Sequence, residues 1–370
     1  MTDAGIEVLL AADPAEINYL TGYDGWSFYV PQVALVALDE AEPTWIGREI
    51  DLTGARSTVF MGDNGIHCYP DALVQSFDAH PMDFVADLIG SLGWAGRVVG
   101  VESDGYFLSV RGYAALRRGL PNTRFVEVDR LVNKVRSRKS QAEIAYMRDA
   151  ARLTDRVMTA AIALIEPGVR QCDVVGQILA MQVSGAEFAG DITGVCPLVL
   201  AGDAAATPHL FWSDETFGPH QTVAIEVGAA RHHYNVPLTR TIHLGAPPKR
   251  LLDIARGVEE GLEAVLAVAG PGVSCDVVHE AWQDCIQRHG LEKSSRIGYS
   301  VGLGYPPDWS ERTISIRQGE GTLLEVGHTI HIMLGMWMED RGFSLSETVL
   351  VQDRGVDCFS RLPRDIQALK

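Results

Sequence analysis

No two of the six cysteines in this chain stand two residues apart, and the closest pair, Cys275 and Cys285, is ten positions apart. That spacing excludes a cysteine-paired zinc knuckle and a dense disulfide framework, and it suits a reducing compartment. Cations are scarce: 31 Lys and Arg stand against 48 Asp and Glu, a formal net charge of −17. Phosphate backbones and anionic bilayers both attract positive surfaces, so nucleic-acid and membrane-surface partners are excluded as classes. No run of ~18 uncharged apolar residues is available to span a bilayer. The opening Met1-Thr2-Asp3-Ala4-Gly5 lacks the basic-then-apolar order of a secretion signal, and the expected location is cytoplasmic. What the chain does have is a 46% hydrophobic composition over 370 residues, enough for an extensive core in two or three domains or one large one.

Alternation of patterns gives the organisation. Apolar runs at 6–11, 33–38 and 97–102 read as strands, with helical stretches at 81–91 and 109–119 between and after them. The expected result is an α/β domain over residues 1–133. Residues 134–140 form a linker whose KVRSRK stretch carries four cations and reads as solvated. The second domain is expected over 141–370. It opens with Ser140-Gln141-Ala142-Glu143, a capping box, and a helix running to about Glu166 before Pro167-Gly168. A second long helix near 248–269 stops at Gly270-Pro271-Gly272 and is followed by another over Cys275–His289. The repeated order of helix, break, helix and strands hints at an internal duplication.

Several polar residues sit where apolar ones are expected. Glu226 interrupts the strand Val223–Val227, and Glu347 interrupts Leu345–Val349. A carboxylate there needs either a partner, with Arg240 a candidate for Glu226, or a function. In the strand 329–339, period-two alternation puts His331, Met333, Gly335, Trp337 and Glu339 on one face. The neighbours His232 and His233 must point to opposite faces, which argues against a paired role.

The segments Ile225–Ala229 and Tyr234–Thr241 resemble the paired-aspartate hairpin of the pita-bread metallohydrolases, the superfamily of methionine aminopeptidases, prolidases and creatinases. Residues 1–133 likewise resemble the creatinase/prolidase N-terminal domain, so the implied fold is α/β (α+β), a small N-terminal α/β domain plus a pita-bread domain. In the positions of the five metal ligands this chain places Glu226, Pro237 eleven residues later, Tyr299, Met333 and Glu347. Proline, phenol and thioether cannot supply the donors of a dinuclear centre, so no metal and no cofactor is expected.

Within the superfamily, the stretches Tyr19–Tyr29, His80–Asp83, Pro208–Leu210 and Gly304–Trp309 are most similar to the creatinase-like ectoine hydrolases. That resemblance implies a small-molecule substrate, ectoine or its hydroxylated form, which carries an amidinium and a carboxylate. It implies His209 as the group that activates water, with Glu226 and Glu347 holding the amidinium. Trp26, Phe28, Tyr29, Tyr299, Asp308, Trp309, His331, Met333 and Trp337 become candidates to line the site, and Arg240 and Arg312 to bind the carboxylate. It further implies a homodimer in which Tyr23–Tyr29 of one subunit reaches the site of the other. Relatives carry a helix ahead of the first strand, and its absence here is expected to bear on packing more than on chemistry. Creatine is a less suitable substrate, because Phe28-Tyr29-Val30 replaces the Phe-Gly-Arg segment of creatinases. A binding scaffold without catalysis is the alternative from a different class.

Overall fold

A computed structural model of the chain describes all residues except 129, 186, 340 and 370. The chain divides into two compact units, Met1–Arg136 and Ser137–Lys370, and the division falls inside the basic segment.

The first unit is built on six strands: β1 (Val8–Ala11), β2 (Val33–Ala37), β3 (Thr44–Arg48), β4 (Ile66–Tyr69), β5 (Val98–Val101) and β6 (Arg124–Glu127), ordered β4-β3-β2-β1-β5-β6. β1 pairs antiparallel with β2 and parallel with β5, so the sheet is mixed. The α-helices α1 (Pro14–Thr21), α2 (Leu52–Thr58), α3 (Pro81–Ser91), α4 (Val110–Gly119) and α5 (Leu131–Arg136) accompany it. His80 caps α3 in place of the usual hydroxyl, its Nδ1 accepting from Met82 N while Asp83 accepts from His80 N.

The basic segment is not a solvated tether. Arg136, Ser137 and Lys139 are buried, and the fully buried Lys139 ammonium pairs with the equally buried Glu311. Alternate exposed and buried cations are consistent with a segment packed along one side, which charge counting alone does not reveal.

In the second unit, α6 (Gln141–Leu164) and α7 (Gln171–Ser184) are followed by β7 (Leu198–Ala201), β8 (Thr222–Arg231) and β9 (Tyr234–Leu244). The pattern then repeats: α8 (Lys249–Val268) and α9 (Cys275–Arg288) precede β10 (Gly298–Val301), β11 (Ser310–Ile316), β12 (Thr329–Met338) and β13 (Arg341–Val351), with β14 (Val356–Cys358) and β15 (Gln367–Leu369) closing the chain. The sheets are ordered β15-β9-β8-β7 and β11-β10-β12-β13-β14. Each half buries one sheet face under its own helices. Val223, Ile225, Val227 and Leu238 pack with α6 and α7, while Ile330, Ile332, Leu345 and Val349 pack with α8 and α9.

The two halves meet along β9 and β13 through side-chain hydroxyls instead of a continuous ladder. Ser346 Oγ accepts from Thr239 N, Thr348 Oγ1 donates to Pro237 O, and Thr241 Oγ1 both donates to Ser344 O and accepts from Ser344 N. A side chain's period of two then decides which residues face the helices and which face away from them.

Candidate active site

Strand parity gathers the site on the face turned from the helices. Glu226 alternates with the helix-facing Ile225 and Val227, and its cross-strand partner is Thr239. On the second sheet, Tyr299 pairs with His331, His331 with Thr348, and Met333 with Ser346. These residues share the face opposite Ile330, Ile332 and Leu345.

Glu226 is half-buried and has no ion pair or hydrogen bond with any described residue; burial alone pushes its carboxyl up to about 7. Its charge is felt at Tyr299, whose hydroxyl is pushed well above the usual phenol range, first by burial and then by Glu226. The Tyr299 oxygen accepts from Trp309 Nε1 at 3.0 Å and lies 3.0 Å from His331 Nδ1. His331 is fully buried, and burial lowers it to about 3, so the imidazole is neutral. Its Nε2 has no hydrogen-bond partner among the described residues. An unpaired acceptor costs less than an unpaired buried N–H, which assigns the proton to Nδ1. Two donors then converge on the Tyr299 oxygen, and its own proton is left available to a ligand.

Trp309 fixes this arrangement across the two halves. A Cβ placed on Gly228 of β8 would lie 3.0 Å from the Trp309 ring, so only glycine admits the indole without displacement. Asp308, just before it, raises Tyr299 further through its charge and accepts from Ser310 N at 2.8 Å.

Two expected site residues, Glu347 and Arg240, are turned away from this face. Glu347 faces the helices, one residue out of step with Ser346, and is 1% exposed. Its Oε1 accepts from Arg240 Nη2 at 2.8 Å and from Arg364 Nε at 3.1 Å. Burial raises the Glu347 carboxyl, and the two guanidiniums oppose that shift. Arg240 cannot take a substrate carboxylate, because its other donors are engaged by the carbonyls of Pro363, Thr239, Ser346 and Leu362. The partner expected for Glu226 therefore belongs to Glu347.

His209 is exposed on the loop after a short 3-10 helix over Gly202–Ala206 and makes no hydrogen bond with a described residue. Trp337 folds back over Gly335 and carries the Lys293 ammonium 4.3 Å from its ring centroid. Arg312 sits at a left-handed position, φ 55°, in β11. In the first unit, Trp26 packs edge-on against Phe28 at 4.7 Å. Phe28 and Tyr29 line a recess of about 340 Å³ with His80 and Arg111.

Two cations were not anticipated. Arg296 lies 4.7 Å from the Tyr299 ring centroid, and the Lys293 amine, lowered to about 8 by burial, donates to Gly335 O. Both belong to the loop before β10, where a run of serines and charges reads as ordinary solvated surface.

A dinuclear metal centre does not fit this face. Its donors are one carboxylate, the single imidazole of His331, a phenol, a thioether and hydroxyls already bonded to backbone, with Pro237 between them, which is too few hard donors to bridge and hold two ions. Among the described residues, the one group of three or more His, Cys, Asp or Glu with ligand atoms in range of one another is Glu260, Cys285 and His289, in the helical layer.

Residues 145–353 match metallopeptidase family M24, and residues 1–138 match the creatinase/prolidase N-terminal domain. The chain is 40% identical to an uncharacterized hydrolase/peptidase of Sinorhizobium fredii, over 98% of this chain and 92% of that one. It is 38% identical to the ectoine hydrolase of Halomonas elongata, over 99% and 94%. The prolidase of Thermococcus sibiricus superposes with a TM-score of 0.86 at 20% identity, covering 100% of this chain and 96% of that one, which shows the fold.

Proposed function

The chain belongs to metallopeptidase family M24 and is a hydrolase of C–N bonds, and on that premise we propose that it opens a cyclic amidine of the ectoine type without a dinuclear metal centre. The observation that carries this reading is Glu226, an isolated carboxylate with its pKa near 7, facing a phenol in place of metal ligands. An amidinium gives such a carboxylate the partner that the fold withholds, through charge-assisted N–H···O bonds. The near-full-length similarity to an ectoine hydrolase supports the same substrate class.

In this mechanism Glu226 holds and polarises the amidinium, and water adds to the ring carbon between the two nitrogens. Tyr299, its oxygen held by Trp309 and His331, donates to the nitrogen or oxygen on which charge changes. The tetrahedral adduct collapses with one C–N bond broken, giving an N-acetylated diaminobutyrate. His209 serves as the base that activates water from its exposed loop, and Arg312 as a partner of the carboxylate. Glu347 takes no part in the chemistry. The protein works as a cytoplasmic homodimer, with Trp26, Phe28 and Tyr29 of one subunit contributing to the site of the other.

The test is incubation of chelator-treated protein with ectoine, followed by proton NMR. An acetyl-diaminobutyrate product without added metal supports the proposal and identifies the bond broken. Turnover only after manganese is added overturns the metal-free mechanism. Turnover of creatine and not ectoine would favour a creatinase-like amidinohydrolase, and tight ectoine binding without turnover would favour a binding protein.

A further inference from the structure

The helices α8 and α9 bring together three side chains that the proposed chemistry does not use. Cys285 and His289 are one helical turn apart, and Glu260 faces them from α8. Their ligand atoms all lie within 4.8 Å of one another, with His289 Nε2 2.9 Å from Glu260 Oε2. Cys285 is buried at 1% exposure, His289 is partly buried, and the Glu260 side chain is 54% exposed, so the group runs from interior thiol to open solvent.

The scaffold under this group is rigid. A Cβ on Gly257 would stand 3.1 Å from His289 Cβ and Cγ, so glycine one turn before Glu260 is what lets the imidazole lie against α8. Gly261 opens a second gap, filled by the Trp282 ring of α9. The two glycines set a close helix contact, and the three donors are carried by that contact and not by a loop.

We propose that Glu260, Cys285 and His289 form a binding site for a zinc-class divalent cation. Thiolate, imidazole and carboxylate form a donor set that suits zinc and disfavours magnesium or calcium. Closing the three atoms onto ligand distances of roughly 2.0–2.3 Å needs only small side-chain movements, and solvent at Glu260 supplies a fourth ligand. Binding expels the thiol proton to solvent and forms a metal–sulfur bond, with no redox change. The ion staples α8 to α9 on the outer side of the sheet, remote in the fold from the face of Glu226. Its consequence is stabilisation by mass action.

The full chain is dialysed against chelator, returned to metal-free buffer and titrated with zinc sulfate, with melting temperature as a second readout. The expected result is one tight equivalent and a raised melting temperature, both lost in Cys285→Ser and His289→Ala. Affinity should fall by on the order of a hundredfold or more, since even removal of an outer partner costs up to that much. Cobalt should give a thiolate charge-transfer band that Cys285→Ser lacks. Glu260→Gln removes an exposed ligand and keeps the test open if the buried variants fail to fold. Zinc affinity unchanged in these variants, or no zinc binding by the wild type, overturns the proposal. The readouts are independent of ectoine turnover, so this site stands or falls apart from the proposed reaction.

Discussion

Arg240 reaches Glu347 across the seam between the two halves at 2.8 Å, on the helix-covered side of the sheet. Arg364 joins the same carboxylate oxygen from the C-terminal segment. Removing the Glu347 charge leaves Arg240 buried without its counter-ion, and breaking such a pair costs about 3–5 kcal/mol. Glu347→Gln should therefore lower stability in urea by an amount of that order. Turnover per folded molecule should stay within a fewfold of wild type; a collapse of kcat in a fully folded sample would return Glu347 to the active site.

Glu226 carries a stability cost that depends on pH. Its folded pKa, about 7, lies above the ordinary 4.5, so the folded chain binds this proton more tightly than the unfolded chain. The cost is absent below 4.5, grows through the interval and is complete above about 7. A shift of this size corresponds to about 3 kcal/mol. Glu226→Gln should thus be near neutral for stability at pH 4 and stabilising by up to that amount at pH 8. Denaturation at both pH values checks the sign.

Ligand binding should show the same proton from the other side. An amidinium pairs with the carboxylate and not with the acid, so binding lowers the Glu226 pKa and releases a proton near pH 7. Ectoine affinity should rise as pH increases from 6 to 8. Calorimetry in two buffers of different ionisation enthalpy measures the proton released, and zero release would remove Glu226 from amidinium recognition.

Tyr299→Phe deletes one hydroxyl and leaves the ring under Arg296. If the hydroxyl donates in the transition state, kcat should fall by about a hundredfold with little change in KM. A change confined to KM would make Tyr299 a binding residue only.

Much of this was legible in the sequence, and the failures have physical causes. Ser140 and Glu143 mark the start of α6 through local capping, which needs no tertiary context, and the structure has both bonds. Alternation along β12 likewise places His331 and Met333 on one face. Glu347 was misplaced by a single residue, because a strand's two faces can be told apart only through its partners; pairing puts Ser346 opposite Met333. Trp337 shares the right parity, but its side chain turns back over Gly335 to meet Lys293. Glu260, Cys285 and His289 form no spacing motif in the sequence, because Glu260 comes from α8 and the other two from α9 and its C-terminal cap.

Trp309 leans on Gly228 in the first half and donates to Tyr299 in the second. Glu226 and Tyr299 thus sit on opposite banks of a joint closed by serine and threonine hydroxyls, while each bank keeps its own core. The distance between carboxylate and phenol is an aperture set by that joint. On the mechanism proposed above, widening it would disarm the enzyme with both banks still folded.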